Sequence, residues 1–291
     1  MKQLWKVALV LLGGGALLVA CSSRMATTPP AGASRAPGYH PGKFVWHDLV
    51  TRDPASARRF YGALLGWEFQ DTTRNEQPYA IARMGSDPVA GIVVRPDPGD
   101  EPALWLSYLS VGNVDQAVEM VTAAGGETLY PPTELPGVAR LAVVTDPQGA
   151  ALGLVRLNDG DPPDGPGPEV GHVFWMEYIA DDAAAAVRFY QGLSGYESMV
   201  QESRGGIEYH VLRRDGRSRA GLFQVPKISD ENVDPNWLPY VRVEDPAALA
   251  SRVGSLGGQV ILAPNPSIRG GTLAIVADPT GGALALQKWP L

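Results

Sequence analysis

One cysteine and four histidines are all the thiol and imidazole groups in this 291-residue chain. With Cys21 the sole thiol, no intramolecular disulfide can form, so the folded part depends on burial alone. The histidines, His40, His47, His172 and His210, are scattered and never fall at the short spacing of a metal motif. No basic cluster balances the acids. The formal net charge is −7, which argues against a phosphate backbone as partner and excludes nucleic acid from the expected functions. A phosphate-binding glycine loop, a nucleophile–base pair and a carboxylate dyad are also missing. The longest apolar run is too short for a comfortable bilayer span, which takes about 20 residues.

That run lies at the beginning. Lys2 and Lys6 precede an apolar stretch, and Leu18-Val19-Ala20-Cys21 follows with no acid in between. This pattern predicts a signal peptide over residues 1–20 and resembles a bacterial lipobox, with the Cys21 thiol as the lipidation site. Ser22 after the cysteine leans toward the outer membrane, so the expected location is the cell envelope, anchored to the bilayer through acylated Cys21 and facing the periplasm. Removing the leader removes two lysines and no acid, taking the charge from −7 to −9. Residues 22–43 are rich in Ser, Thr, Pro, Ala and Gly without periodicity, and read as a tether reaching roughly 25 Å or more.

The rest of the chain is written twice. FVWHDLVTRDPASARRFYGALLGWE from Phe44 is answered by VFWMEYIADDAAAAVRFYQGLSGYE from Val173. Trp46 matches Trp175, Asp48 matches Glu177, and Phe60-Tyr61 match Phe189-Tyr190, all offset by 129. Ala90-Gly91-Ile92 answers Ala220-Gly221-Leu222, and Asp146-Pro147 answers Asp278-Pro279 at 132. A duplication in register is one folding unit used twice. The boundaries that follow are 44–157 and 171–291 for the two copies, joined by an exposed Pro/Gly/Asp-rich linker at 158–170.

Within each copy the pattern is β-α-β-β-β, used twice. Lys43 to Val50 alternates as a strand, Asp53-Pro54 caps a helix with Ala57, Phe60, Tyr61 and Leu64 on one face, and Gly66 closes it. Short strands follow, and from Leu104 the same order recurs. The fold class is α+β: two tandem domains, each a pair of βαβββ modules curling eight strands into a half-open cup with helices outside. The sequence leaves open whether modules pair within or between copies.

The module, with Asp53, Ser56, Phe60, Tyr61, Leu64 and Gly66 after strand one, and Asp146-Pro147-Gln148-Gly149 and Asp278-Pro279-Thr280-Gly281 before the last strands, resembles the vicinal oxygen chelate superfamily. That superfamily includes glyoxalase I, fosfomycin- and bleomycin-resistance proteins and extradiol dioxygenases. The resemblance spans Phe44 to Trp289 and implies a divalent metal held by His and Glu at the base of the cup. Carried across, the ligand positions fall on Trp46 and Trp175, on Leu106 and Leu238, and on Gly153 and Ala285. None can bind a metal, so no cofactor is expected. His47 adjoins such a position, but strand alternation turns it to the opposite, helix-packed face, and its counterpart is Met176.

Alternation also gathers Trp46, Asp48 and Tyr108 in one cup and Trp175, Glu177 and Tyr240 in the other, with Arg83 or Arg213 on a neighbouring strand. One reading is a ligand site in which a cationic molecule stacks on tryptophan and pairs with the carboxylate. The other is that the indole fills the metal's space and the acid pairs with the arginine. Arg213-Arg214, Arg217 and Arg219 read as a solvated turn. The leading functional expectation is a metal-independent binder of a small organic ligand. The alternatives are a lyase, isomerase or dioxygenase, and a structural envelope lipoprotein. Substituting Cys21→Ser should move the protein from the membrane fraction to the soluble one; unchanged fractionation on immunoblots would refute lipid anchoring.

Overall fold

The computed structural model describes residues 38–95, 101–165, 167–202, 208–224 and 234–290, so Cys21 and the leader lie outside the described residues. The first copy runs β1 (Phe44–Thr51), α1 (Pro54–Leu65), β2 (Glu68–Arg74), β3 (Gln77–Met84), β4 (Asp87–Val94), β5 (Leu104–Ser110), α2 (Val114–Ala123), β6 (Thr128–Leu135), β7 (Ala139–Thr145) and β8 (Ala151–Leu157). The second runs β9 (Val173–Ala180), α3 (Ala183–Ser194), β10 (Glu197–Glu202), β11 (Glu208–Arg214), β12 (Arg217–Gln224), β13 (Asn236–Arg242), α4 (Pro246–Val253), β14 (Gln259–Leu262), β15 (Leu273–Ala277) and β16 (Ala283–Gln287). Among the described residues no helix is long and apolar enough to cross a membrane.

The helix punctuation works as the sequence suggests. The Asp53 carboxylate accepts the Ser56 N–H at 2.9 Å, Pro54 occupies the first turn, and Gly66 ends α1 in the left-handed conformation at φ 76°. Asp182 and Gly195 repeat this around α3. The β6 strand runs through Pro131-Pro132. It is an edge strand, where prolines without N–H groups cost no inner ladder bonds, and the register shifts twice there.

Each eight-stranded sheet comes from one copy, in the orders β2-β3-β4-β1-β5-β8-β7-β6 and β10-β11-β12-β9-β13-β16-β15-β14. The modules therefore pair within a copy, through the central antiparallel pairs β1·β5 and β9·β13. The helices are outside each cup but not outside the molecule. One core cluster joins Phe60, Tyr61 and Leu64 of α1 to Ala250 and Val253 of α4 and to Val276 and Leu286 of the second sheet. A second core joins Val114 and Val121 of α2 to Ala186 and Tyr190 of α3. The two sheets are thus packed back to back through their helices. Separate clusters line the concave faces, around Tyr108 and Leu141 in one and Trp175 and Tyr240 in the other.

Reciprocal hydrogen bonds fasten the junction. The Tyr61 hydroxyl of α1 donates to Asp278 of the second copy at 2.9 Å, and the Tyr190 hydroxyl of α3 donates to Asp146 of the first at 2.8 Å. Trp105 and Trp237 donate their indole N–H groups to the same two tyrosines, at 3.1 and 2.8 Å. Each aspartate also caps its own turn, Asp146 accepting from Gln148 and Ala150 and Asp278 from Thr280 and Gly282. Burial raises the Asp146 carboxyl above the ordinary carboxylate range, with the hydrogen bonds from Tyr190 and its own turn opposing it.

The linker is mostly exposed, yet it is tied down. Asp161 accepts from the Ser110 hydroxyl and the His40 N–H, both at 2.6 Å, and Asp164 pairs with Lys43 at 3.1 Å and with Arg219 at 2.7 Å. The end of the tether is held too, since Gly42 donates its N–H to the Ser110 carbonyl at 2.8 Å.

Tyr61→Phe and Tyr190→Phe should each cost about 1–3 kcal/mol, because a buried carboxylate loses a donor. Urea unfolding with unchanged m-values would show it, and a null effect of both would remove these bonds from any stabilising role. Because the Asp146 pKa is raised on folding, its favourable contribution is complete below the unfolded value near 3.8 and is lost as pH rises through the folded value. Asp146→Asn, which has no charge to desolvate, should therefore gain stability relative to the parent as pH rises from 3 to 7.

Candidate functional site: two caged carboxylates

The floor of the first cup is built by β1 and β5, where Trp46 stands opposite Tyr108 and Asp48 opposite Leu106. The expected trio is therefore together. Asp48 is completely buried, and its carboxylate accepts from the Trp46 indole N–H at 2.8 Å and the Tyr79 hydroxyl at 2.7 Å. The Tyr108 hydroxyl also engages it. The charge is balanced by Arg74, which donates to Asp48 at 2.5 Å and lies 3.8 Å over the Tyr79 ring.

The second cup repeats the cage. Glu177 is buried, and its carboxylate accepts from the Tyr240 hydroxyl and from Arg269, the latter at 2.6 Å. Trp175 donates to the Tyr209 hydroxyl at 3.3 Å, and Arg269 sits over the Tyr240 ring at 5.3 Å. Two small residues make room. A Cβ on Gly91 would lie 1.9 Å from the Tyr79 hydroxyl and 2.1 Å from the Asp48 carboxylate; one on Gly221 would lie 1.9 Å from the Tyr209 hydroxyl. This explains why the Ala-Gly-Ile/Leu triplet recurs.

The arginines are not the expected ones. Arg83 donates to Gln70 and the Ser86 carbonyl, and Arg213 to the Gly216 carbonyl; both serve exposed hairpins and neither reaches an acid of the cups. Arg74 does, because β2 extends to the hairpin tip, where Asn75 and Glu76 turn the chain with positive φ. Arg269 comes from the opposite module, on a loop where Arg269, Gly270 and Gly271 are all left-handed. A sequence signal for Arg74 existed: Arg74 and Tyr79 are answered by Arg204 and Tyr209 at an offset of 130. Arg204 lies outside the described residues.

Electrostatics limits what the cages can do. Burial, reinforced by the neighbouring carboxylate, pushes Tyr79, Tyr108, Tyr209 and Tyr240 well above the ordinary phenol value, so they act as donors and not as bases at neutral pH. Burial opposes the Arg74 charge, but Asp48 together with Tyr79 and Tyr108 outweighs it and the guanidinium stays protonated. With each acid already neutralised, a cationic ligand would have to displace an arginine.

The cups do not suit a divalent metal. Among the described residues their floors offer one carboxylate each, already bound to a guanidinium, and no imidazole. The position where the resemblance implies a glutamate is Gly153, and a Cβ there would lie 2.3 Å from the Tyr108 ring. His47 faces the other copy as alternation requires, bonded to the Ser107 hydroxyl at 2.8 Å and lowered by burial to about 4. His210 is bonded to Ser198 at 2.9 Å and to Glu208 at 3.0 Å. Among the described residues one group does bring three donors within 4.8 Å of one another: Asp87, Glu169 and His172. It lies at the start of β4 and just before β9, not on a cup floor. His172 Nδ1 is 3.2 Å from the Val170 carbonyl, which leaves Nε2 as the lone-pair donor.

Beside Trp175 lies a cavity of about 920 Å³, reaching Tyr209 and Arg269 of the second cup and extending to the linker. Arg219 lines it with a side chain only 7% exposed, so this arginine is not part of a solvated turn.

Tandem cups of paired βαβββ modules, each with a carboxylate caged on its floor, define the class of scaffold. The chain belongs to the glyoxalase/bleomycin resistance protein/dioxygenase superfamily, whose sequence profile matches residues 43–154. CFP32 of Mycobacterium bovis, a glyoxylase by provisional name, is 31% identical over 261 residues, covering 86% of this chain and 96% of that protein. The anthracycline biosynthesis protein DauV of Streptomyces sp. strain C5 is 28% identical over 268 residues, covering 86% and 94%. The Mn(II)-bound glyoxalase of Novosphingobium aromaticivorans shares the fold at a TM-score of 0.58 and 13% identity, over 86% of this chain and 82% of that one.

Arg74→Met should cost about 3–5 kcal/mol, since it leaves a fully buried carboxylate without its cation. Adding Asp48→Asn should recover a large part of that loss. A double-mutant cycle by urea unfolding checks this, and additive effects would mean that the pair is not coupled.

Proposed function

We propose that this protein is an exported, lipid-anchored member of the superfamily that binds a small organic molecule in a cup without a metal. The observation that carries the reading is the caged acid: Asp48 and Glu177, the carboxylates on the two cup floors, are each bound to an arginine and to tyrosine hydroxyls. Tyrosines held as phenols, an engaged carboxylate and a tryptophan wall are suited to shaping and orienting a ligand, not to abstracting its protons. The second cup is the favoured site, because the cavity opens against Trp175 and Tyr209. The similarity to DauV fits an aromatic ligand.

The enzymatic alternative, a lyase, isomerase or dioxygenase, has one observation in its favour, the Asp87–Glu169–His172 donor group. Elemental analysis of protein purified without chelators separates the two. Stoichiometric Zn, Ni, Mn or Fe that survives His172→Ala would overturn the metal-free reading. A thermal-shift screen against envelope metabolites and antibiotics should yield hits that Trp175→Leu abolishes, and silence across a broad panel would favour the structural lipoprotein instead.

A further inference from the structure

The chain is acidic as a whole, with a formal charge of −7, yet the cavity beside Trp175 is lined by Lys43, Arg217, Arg219 and Arg269 against one acid, Asp164. Arg269 is balanced by Glu177 behind the wall at 2.6 Å. The other three share a single carboxylate. Asp164 receives Arg219 in a two-pronged contact at 2.7 and 3.0 Å, Lys43 at 3.1 Å and Arg217 at 3.3 Å. Among the described residues these are the only ion pairs of Lys43, Arg217 and Arg219. Three cations on one anion leave a local excess of two positive charges, two of the three side chains being less than a fifth exposed.

The rest of the corner does little to absorb that charge. Lys43 also donates to the Pro162 and Pro163 carbonyls, at 2.6 and 3.1 Å, which are neutral acceptors. The Nε of Arg219, on a side chain more than nine-tenths buried, has no hydrogen-bond partner among the described residues. A buried guanidinium N–H without an acceptor is costly, so this corner holds more donors than its single carboxylate can satisfy. Apolar rings complete the same cavity: Phe44, Phe174, Trp175, Tyr209 and Trp289. Partial desolvation of the cations strengthens any anion contact there relative to an open surface.

We infer that the second cup's cavity takes a planar aromatic anion, its ring against Trp175, Tyr209 and Phe174 and its carboxylate, phenolate or sulfonate among Lys43, Arg217 and Arg219. This rests on the small-molecule reading above and names the ligand's class. Asp164 is then the ligand's competitor as well as the clasp of the linker: it holds the three cations in place and occupies part of their capacity. In the first copy the position 130 residues before Arg219 is Val89, which carries no charge.

Three probes of one shape test it by calorimetric titration of the full chain: 2-naphthoate, neutral 2-naphthamide and cationic 2-naphthylmethylammonium. The expected result is naphthoate binding at least tenfold tighter than the amide, with affinity falling as salt rises. Arg217→Gln, at a largely exposed side chain, should weaken naphthoate at least threefold and leave the amide unchanged. Asp164→Asn should tighten naphthoate, which a merely structural aspartate would not do. Equal binding of acid and amide, or tighter binding of the ammonium, would overturn the anion assignment while a Trp175→Leu-sensitive signal keeps the small-molecule reading. Failure of all three to bind also overturns it, and the ligand panel then judges the wider reading separately.

Discussion

Tyr61 and Tyr190 each finish their hydrogen bond in the other copy, and the shape of the molecule depends on that exchange. A βαβββ pair buries the concave face of its sheet poorly and the outer face of its helices not at all. Placing the helices of one copy against those of the other removes both apolar faces from water at once. The tyrosines then need an acceptor at the bottom of the new interface, and Asp278 and Asp146 supply it while capping their own turns. The same residue thus serves a local turn and a long-range contact. A copy folded alone would expose a row of aromatic side chains and leave two turn carboxylates without their tyrosine donors.

Because the junction uses up the convex faces, chemistry is confined to the two concave ones. Each floor carries a carboxylate too deep for water to solvate, and an ion in that position requires a counter-charge and donors for its remaining lone pairs. Both cups meet the requirement with an arginine, a tryptophan N–H or tyrosine hydroxyls, and a glycine that leaves room for them. They differ in where the arginine comes from: the β2–β3 tip of the first module in one, the β14–β15 loop of the second module in the other. The cage constrains the residues at its centre more tightly than the element that delivers the cation.

The fold was legible because its signals are local and appear twice. Caps at Asp53 and Asp182, closing glycines and strand alternation placed the helices and most strands, and alternation alone brought Trp46, Asp48 and Tyr108, and likewise Trp175, Glu177 and Tyr240, onto shared faces. What alternation cannot give is the reach of a long side chain across a curved sheet. Arg83 and Arg213 were nearer on the strand map, but both are claimed by their own hairpin turns. Arg74 reaches Asp48 from a tip, and Arg269 from a loop with no periodicity to read. Tyr79 and Tyr209 were missed for a related reason: their role appears only with the Gly91 and Gly221 vacancies opposite them. The place of Asp164 was hidden in a linker whose composition speaks only of exposure.

That linker is what makes two nearly equal cups unequal. It has to travel from the end of β8 to the start of β9, and it does so along the second copy, where Asp164 meets Arg219 of β12 and Lys43 at the head of β1. Among the described residues this segment places Asp164, Gly165, Gly167 and Pro168 along the cavity beside the second cup. A wall held by one carboxylate and three cations cannot be electrically neutral, and its excess charge faces an aromatic cavity. Connectivity, the joining of two copies in one chain, is therefore sufficient to set a charged wall beside the second cup with no change to the caged residues both cups retain.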